Sequence, residues 1–130
     1  MSNEDGRYAR GLETRREVLG DEHVDRSLRD ATEFSGVAQE FVTEFCWGDV
    51  WTRPGLDKRT RSLINLAMLT ALNRMHEFRV HVRGAINNGC TVEEIRETLL
   101  QTIVYCGAPA GLESFREAQA VLDELAAARA

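Results

Sequence analysis

The stretch from Leu63 to Leu72 constrains this chain most. Leu63, Ile64, Leu66, Ala67, Met68, Leu69 and Leu72 leave almost no side of a helix polar. A helix that is apolar nearly all round is one that a domain buries. The pattern predicts a central helix opening at Asp57, a good N-cap, and breaking at Asn73 and Arg74.

Nowhere is there a period-2 alternation long enough for a strand, nor an internal repeat or a low-complexity run. A first helix is expected over about residues 5–19, ending at Gly20, and a short second one from Val24 to Thr32. From Gly36 to Trp47, the residues Val37, Phe41, Val42 and Phe45 recur at helical spacing. Gly48 and the run Thr52-Arg53-Pro54-Gly55 then read as a break. A further helix is expected over residues 75–88, stopped by Gly89. Thr91 and Glu94 form a capping box for a helix running to about Tyr105. Gly107-Ala108-Pro109 is a turn, with Pro109 placed to open a last helix reaching about Ala127. Six or seven helices with short connections make an all-α chain, expected as one compact domain over residues 1–130.

Composition excludes several functions. The net charge of −5 argues against nucleic acid as a partner, because phosphate binding needs a basic surface. No run approaches the roughly 18 apolar residues of a membrane span, and the polar start Met1-Ser2-Asn3-Glu4-Asp5 is unlike a signal peptide, so the cytoplasm is expected. The three cysteines (Cys46, Cys90 and Cys106) are widely spaced without a C-x-x-C pair. They read as small buried hydrophobes, and a disulfide framework or zinc ribbon is not expected. Fifteen of the 16 basic residues are arginine, whose planar fork suits carboxylates.

Chemistry concentrates in His76-Glu77-Phe78-Arg79-Val80-His81. The zinc motif H-E-x-x-H needs histidines four apart, but these are five apart and point about 140° away from each other on a helix. No metal is expected. Glu77 and His81, four apart, do share a face, and a carboxylate beside an imidazole is a proton-transfer pair. Arg74 and Asn88 fall on the same stripe, with Gly84 and Ala85 beside it. This is the profile either of a helix that admits a ligand or of an exposed ion-pair face. His76 lies on another face and reads as a surface residue, while His23 is placed in a loop after Asp21-Glu22. Trp47 and Trp51 read as core or interface anchors able to wall a pocket. The run from Tyr105 to Gly111 is a second wall or a plain turn.

Four segments together resemble the carboxymuconolactone decarboxylase family. They are Arg16-Glu17-Val18-Leu19-Gly20 with His23-Val24-Asp25; Phe45-Cys46-Trp47-Gly48-Asp49-Val50-Trp51-Thr52-Arg53-Pro54-Gly55-Leu56-Asp57; Glu77 to His81-Val82-Arg83 leading to Asn87-Asn88-Gly89; and Val104-Tyr105-Cys106-Gly107-Ala108-Pro109-Ala110. The resemblance implies an alkylhydroperoxidase D-like helical fold and a trimer-based homo-oligomer such as a hexamer. In that wider superfamily the functional helix carries C-x-x-C-x-x-x-H. Its histidine falls here on His81, and its two cysteines fall on Arg74 and Glu77, so the dithiol needed for peroxidase chemistry is absent. Gly111-Leu112-Glu113 departs from the Ala-Asn pair expected of some decarboxylases.

The implied activity is cofactor-independent decarboxylation of 4-carboxymuconolactone, a small lactone dicarboxylate of protocatechuate breakdown, giving the 3-oxoadipate enol-lactone. In it His81 would be the general acid and Glu77 its orienting carboxylate. Arg74 or Arg83 would anchor a substrate carboxylate, with Trp47, Trp51, Tyr105 and Pro109 as a dry wall. A redox protein using lone cysteines, and a non-enzymatic helical module, are the competing readings.

Overall fold

The computed structural model describes residues 5–129, so residues 1–4 of the polar start lie outside it. The described residues form seven α-helices and one π-helix, with no strand. In chain order these are α1 (Arg7–Leu19), α2 (Asp21–Arg29), α3 (Glu33–Phe41), the π-helix (Val42–Val50), α4 (Lys58–Leu72), α5 (Met75–Asn87), α6 (Val92–Cys106) and α7 (Ala108–Arg129). The all-α expectation holds. The chain divides into two compact units, residues 1–57 and 58–130.

In the first unit α1 lies against the π-helix. The expected single helix from Gly36 to Trp47 is instead two. Thr32 caps α3 by accepting from the Ser35 amide, and Ser35 reciprocates. Beyond Phe41 the backbone widens to bonds five residues long, as from the Trp51 amide to the Cys46 carbonyl at 3.0 Å. Gly48 is therefore not a break. It sits inside the π-helix, five residues after Thr43, on the side turned to α1. Trp47 and Trp51 stack with ring centroids 4.7 Å apart and, with Val18, make this unit's buried core. The periodic residues Val37 and Phe41 of α3 are exposed, as is Phe34. α2 starts at Asp21, directly after Gly20, so His23 lies in a helix and not in a loop.

Arg15 is buried between α1 and the π-helix. It donates to Thr43 Oγ1 at 3.0 Å and to Gln39 Oε1 at 2.9 Å, both neutral acceptors, and its Nε has no partner. Burial pulls its proton affinity below the usual arginine value. A buried cation matched only by neutral groups costs desolvation that apolar packing would not. Arg15→Met keeps most of the side-chain volume and removes the charge, so it should leave the melting temperature unchanged or raise it. Arg15→Ala should lower it, by opening a cavity as well. Thermal denaturation of both variants checks this.

The second unit is a four-helix assembly. α4 and α5 are joined by Asn73-Arg74 and run antiparallel. Asn73 takes the left-handed conformation at φ 58°, which asparagine tolerates better than most residues. Leu66, Phe78, Val82, Ala85, Ile95, Leu99, Ala118 and Val121 form the core. The Thr91–Glu94 capping box is present, with Thr91 N to Glu94 Oε1 at 2.9 Å and Glu94 N to Thr91 Oγ1 at 3.0 Å. Arg59 also binds the Glu94 carboxylate, and these contacts hold it below the usual carboxylate range.

One expectation about α4 needs correcting. Its buried residues are Ser62, Leu66 and Thr70, one side only, while Ile64, Met68 and Leu72 are 40, 48 and 65 % exposed. Its neighbours within the unit, α5, α6 and α7, cover a single side. The outward apolar stripe is left uncovered.

Candidate active site

The polar stripe of α5 is where the sequence places it, but its partners differ from those expected. The side of α4 carrying Ser62 and Asn65 meets the side of α5 carrying His81 and Asn88. Asn88 Nδ2 donates to Ser62 Oγ at 2.9 Å, which pins the C-terminal end of α5 to the start of α4. One to two turns further along the seam, Asn65 Nδ2 lies 3.4 Å from Nδ1 of the half-buried His81. With the amide NH2 turned to the ring, Nδ1 accepts; with the amide turned over, Oδ1 accepts from Nδ1–H. Gly84 and Ala85, taken from the sequence as small positions that admit a ligand, are buried, and Ala85 belongs to the core.

Glu77 is exposed in the first turn of α5 and has no hydrogen bond or ion pair among the described residues. A side chain that does meet the Nδ1 edge of His81 is that of Asn65. The sequence reading does not contain Asn65. The available signal is faint: a single amide interrupting the apolar run Leu63-Ile64-Asn65-Leu66-Ala67.

The two candidate arginines part company. Arg83 binds Glu124 of α7, as Arg79 one turn earlier binds Glu117, whose carboxyl is held below its usual range by that contact. Arg74 is exposed at the N-terminal boundary of α5, on the polar stripe, and forms no ion pair among the described residues. His76 is exposed, as expected of a surface residue.

Tyr105 is 82 % exposed and Pro109 is exposed near the start of α7. Tyr105 borders a 340 Å³ cavity between α4 and α6, together with Leu63, Ile64, Ala67, Gln101 and Cys106. Asn65 lies about 150° round α4 from the centre of that lining, so the cavity and His81 are on different sides of the helix. Trp47 and Trp51 are buried in the first unit. Of the cysteines only Cys90 is buried. Cys106 is half-buried and Cys46 exposed, which corrects the reading of all three as core residues. Among the described residues no group of His, Cys, Asp and Glu is arranged to hold a metal ion.

The model of the carboxymuconolactone decarboxylase family matches residues 37–120, which include α4, α5 and the seam. The chain belongs to the carboxymuconolactone decarboxylase family. It is 45 % identical over 123 residues to a 4-carboxymuconolactone decarboxylase of Acinetobacter baylyi, covering 95 % of this chain and 92 % of that protein. It is also 43 % identical over 118 residues to a nitrosuccinic acid decarboxylase of Metarhizium robertsii, covering 91 and 82 %. A 4-carboxymuconolactone decarboxylase of Pseudomonas putida matches over 47 residues at 47 % identity, which is 36 % of this chain and 98 % of that one. Family membership thus rests on both units, since the first of these alignments spans nearly the whole chain. No helix among the described residues is long and apolar enough to cross a membrane.

Proposed function

We propose that this protein decarboxylates 4-carboxymuconolactone without a cofactor. The observation that carries the reading is similarity to a decarboxylase of that name over nearly the full length of both chains. The chemistry asks little of the protein. The bond between the γ-carbon and its carboxyl group breaks, and carbon dioxide leaves. The bonding pair moves through the ring C=C into the lactone carbonyl, giving a dienolate. A proton then adds at the α-carbon to give the enol-lactone, and water returns a proton to the donor. The protein must desolvate the departing carboxylate, steady the oxyanion and supply that proton.

His81 is the donor in this scheme, since a histidine titrates in the range where it holds and releases a proton near neutrality. Glu77, one turn earlier on the stripe, favours the charged form of the ring through its own charge. Arg74 anchors a carboxylate at the open end of the stripe, with Arg83 as the alternative if substrate displaces Glu124. Trp47 and Trp51, expected from the sequence as part of an apolar wall, serve the buried core of the first unit, and the cavity that Tyr105 borders lies on another side of α4 from His81.

The exposed stripe of Ile64, Met68 and Leu72 on α4, with Leu100, Val104 and Tyr105 on α6, supports a homo-oligomer. An uncovered apolar surface of this kind is one that association buries. A trimer-based assembly is the form proposed, in the cytoplasm, with the lactone dicarboxylate as the small-molecule partner.

A second reading concerns the range of substrates and is favoured by the nitrosuccinic acid decarboxylase relative. Both acids contain a succinate unit. In each, the departing carboxyl shares its carbon with an acceptor that can take the electron pair onto oxygen, and the retained carboxylate is one methylene away. The nitro group does through a nitronate what the unsaturated lactone does through a dienolate.

The test is to mix the purified protein with freshly generated 4-carboxymuconolactone, and separately with 2-nitrosuccinate, and to follow carbon dioxide release against enzyme-free blanks. Turnover of the lactone is expected, with a lower kcat/KM for the nitro acid. Release from the nitro acid alone would select the second reading. Release from neither would overturn both.

A further inference from the structure

We propose that Asn65 is the positioning residue of His81, a neutral partner that serves both protonation states of the ring. The inference rests on the assignment of His81 as proton donor. What motivates it is the Asn65 Nδ2 to His81 Nδ1 contact of 3.4 Å, half-buried in the α4–α5 seam. The contact fixes the plane of the ring and gives its Nδ1 edge a hydrogen-bond partner.

The chemical point is that an amide has two faces. With Nδ2 toward the ring, Asn65 donates to a bare Nδ1. With the amide rotated by half a turn, Oδ1 accepts from Nδ1–H of the imidazolium. A carboxylate at this place would accept from Nδ1–H of the neutral ring as well as of the imidazolium, but its charge would hold the ring protonated and resist its giving up a proton. A donor that must release its proton to carbon and regain it in every cycle is better matched by the amide. The polarity of Asn65 also has no other evident use, because its neighbours Ile64 and Leu66 serve the apolar surface and the core.

The other charged groups near this seam are identifiable. On α5 they are Glu77 and Arg74, along the stripe of His81. On α4 they are Lys58, Arg59 and Arg61, of which Arg59 binds Glu94. On α7, which packs on another side of α5, Glu117 and Glu124 are held by Arg79 and Arg83. Asn65 is the residue through which the Nδ1 edge can be altered by one atom, in Asn65→Asp.

Asn65→Asp places an anion on Nδ1 and should raise the proton affinity of His81. A general acid works while protonated, so kcat falls as pH rises through its pKa. The alkaline limb of the kcat profile should therefore move up by about one pH unit or more in Asn65→Asp. Asn65→Leu, of similar size but without the bond, should lower kcat about tenfold or more with a smaller change in KM, because the ring is no longer aimed. A merely structural asparagine would change stability and leave the pH limb in place.

If Asn65→Asp folds and its profile superimposes on that of the parent, the proposal is overturned. Nitrogen-15 spectra of the unaltered protein provide a measurement independent of any variant. Nδ1 of His81 should show a hydrogen-bonded shift both below and above the titration of the ring, and an Nδ1 signal of a freely exchanging imidazole would also overturn it. Failure here, with His81→Ala inactive, would leave the assignment of His81 intact. An active His81→Ala would remove that assignment instead.

Discussion

Replacing His81 by alanine should lower turnover of 4-carboxymuconolactone by about 10²-fold or more, the usual contribution of a positioned general acid. The fold should tolerate the change. His81 is half-buried and lies outside the core of Leu66, Phe78, Val82 and Ala85, so circular dichroism and the oligomeric state should match the parent. KM should change less than kcat, because the lost interaction is made as the proton moves and not when substrate binds. Two comparisons sharpen the result. Glu77→Gln should cost about tenfold or less, since no hydrogen bond joins the exposed Glu77 to the ring and only its charge acts. His76→Ala, five residues from His81 and on another face, should remain within about twofold of the parent. A His81→Ala enzyme with near-normal turnover would sink the assignment of the donor, whatever the other two variants do.

The helix boundaries were legible where local chemistry sets them. The capping box at Thr91 and Glu94, the left-handed Asn73 and the stop at Gly89 act over three or four residues, a range a sequence displays directly. The π-helix was not legible. It packs closely against α1, and periodicity alone cannot register a contact between distant segments. α4 illustrates a different limit. Its all-round apolarity predicts a buried centre, but the other three helices of its unit cover one side. The other side is exposed, and an apolar pattern alone does not tell an exposed face from a core. At the candidate site, the histidine was visible because its spacing broke a known motif. Asn65 was hidden because one polar residue in an apolar helix looks like noise until the facing helix is known.

The second large effect is expected at Gly11 and Gly48, which hold α1 and the π-helix together. A Cβ on Gly11 would lie 1.9 Å from the Thr43 carbonyl oxygen and 2.8 Å from the Gly48 amide nitrogen. A Cβ on Gly48 would lie 2.2 Å from the Arg7 carbonyl oxygen. These are backbone atoms, so no rotamer change relieves the overlap. The two elements would have to move apart, loosening the bond from Arg15 to Thr43 and the packing of Val18 against Trp47 and Trp51. Overpacking of this kind costs up to about 3 kcal/mol, and more where backbone must shift. In a unit of this size Gly11→Ala or Gly48→Ala should therefore lower the melting temperature by roughly 10 °C or more. Gly36→Ala is the matched control. Gly36 lies within α3, and a Cβ there meets nothing within 4 Å. The same substitution at Gly36 should stabilise by about 0.5–1 kcal/mol through the better helix propensity of alanine. If all three variants melt together, close approach of α1 and the π-helix is not what the glycines provide. If only Gly36→Ala melts higher and the other two fall, the seam is fixed by the two positions where a methyl group cannot fit.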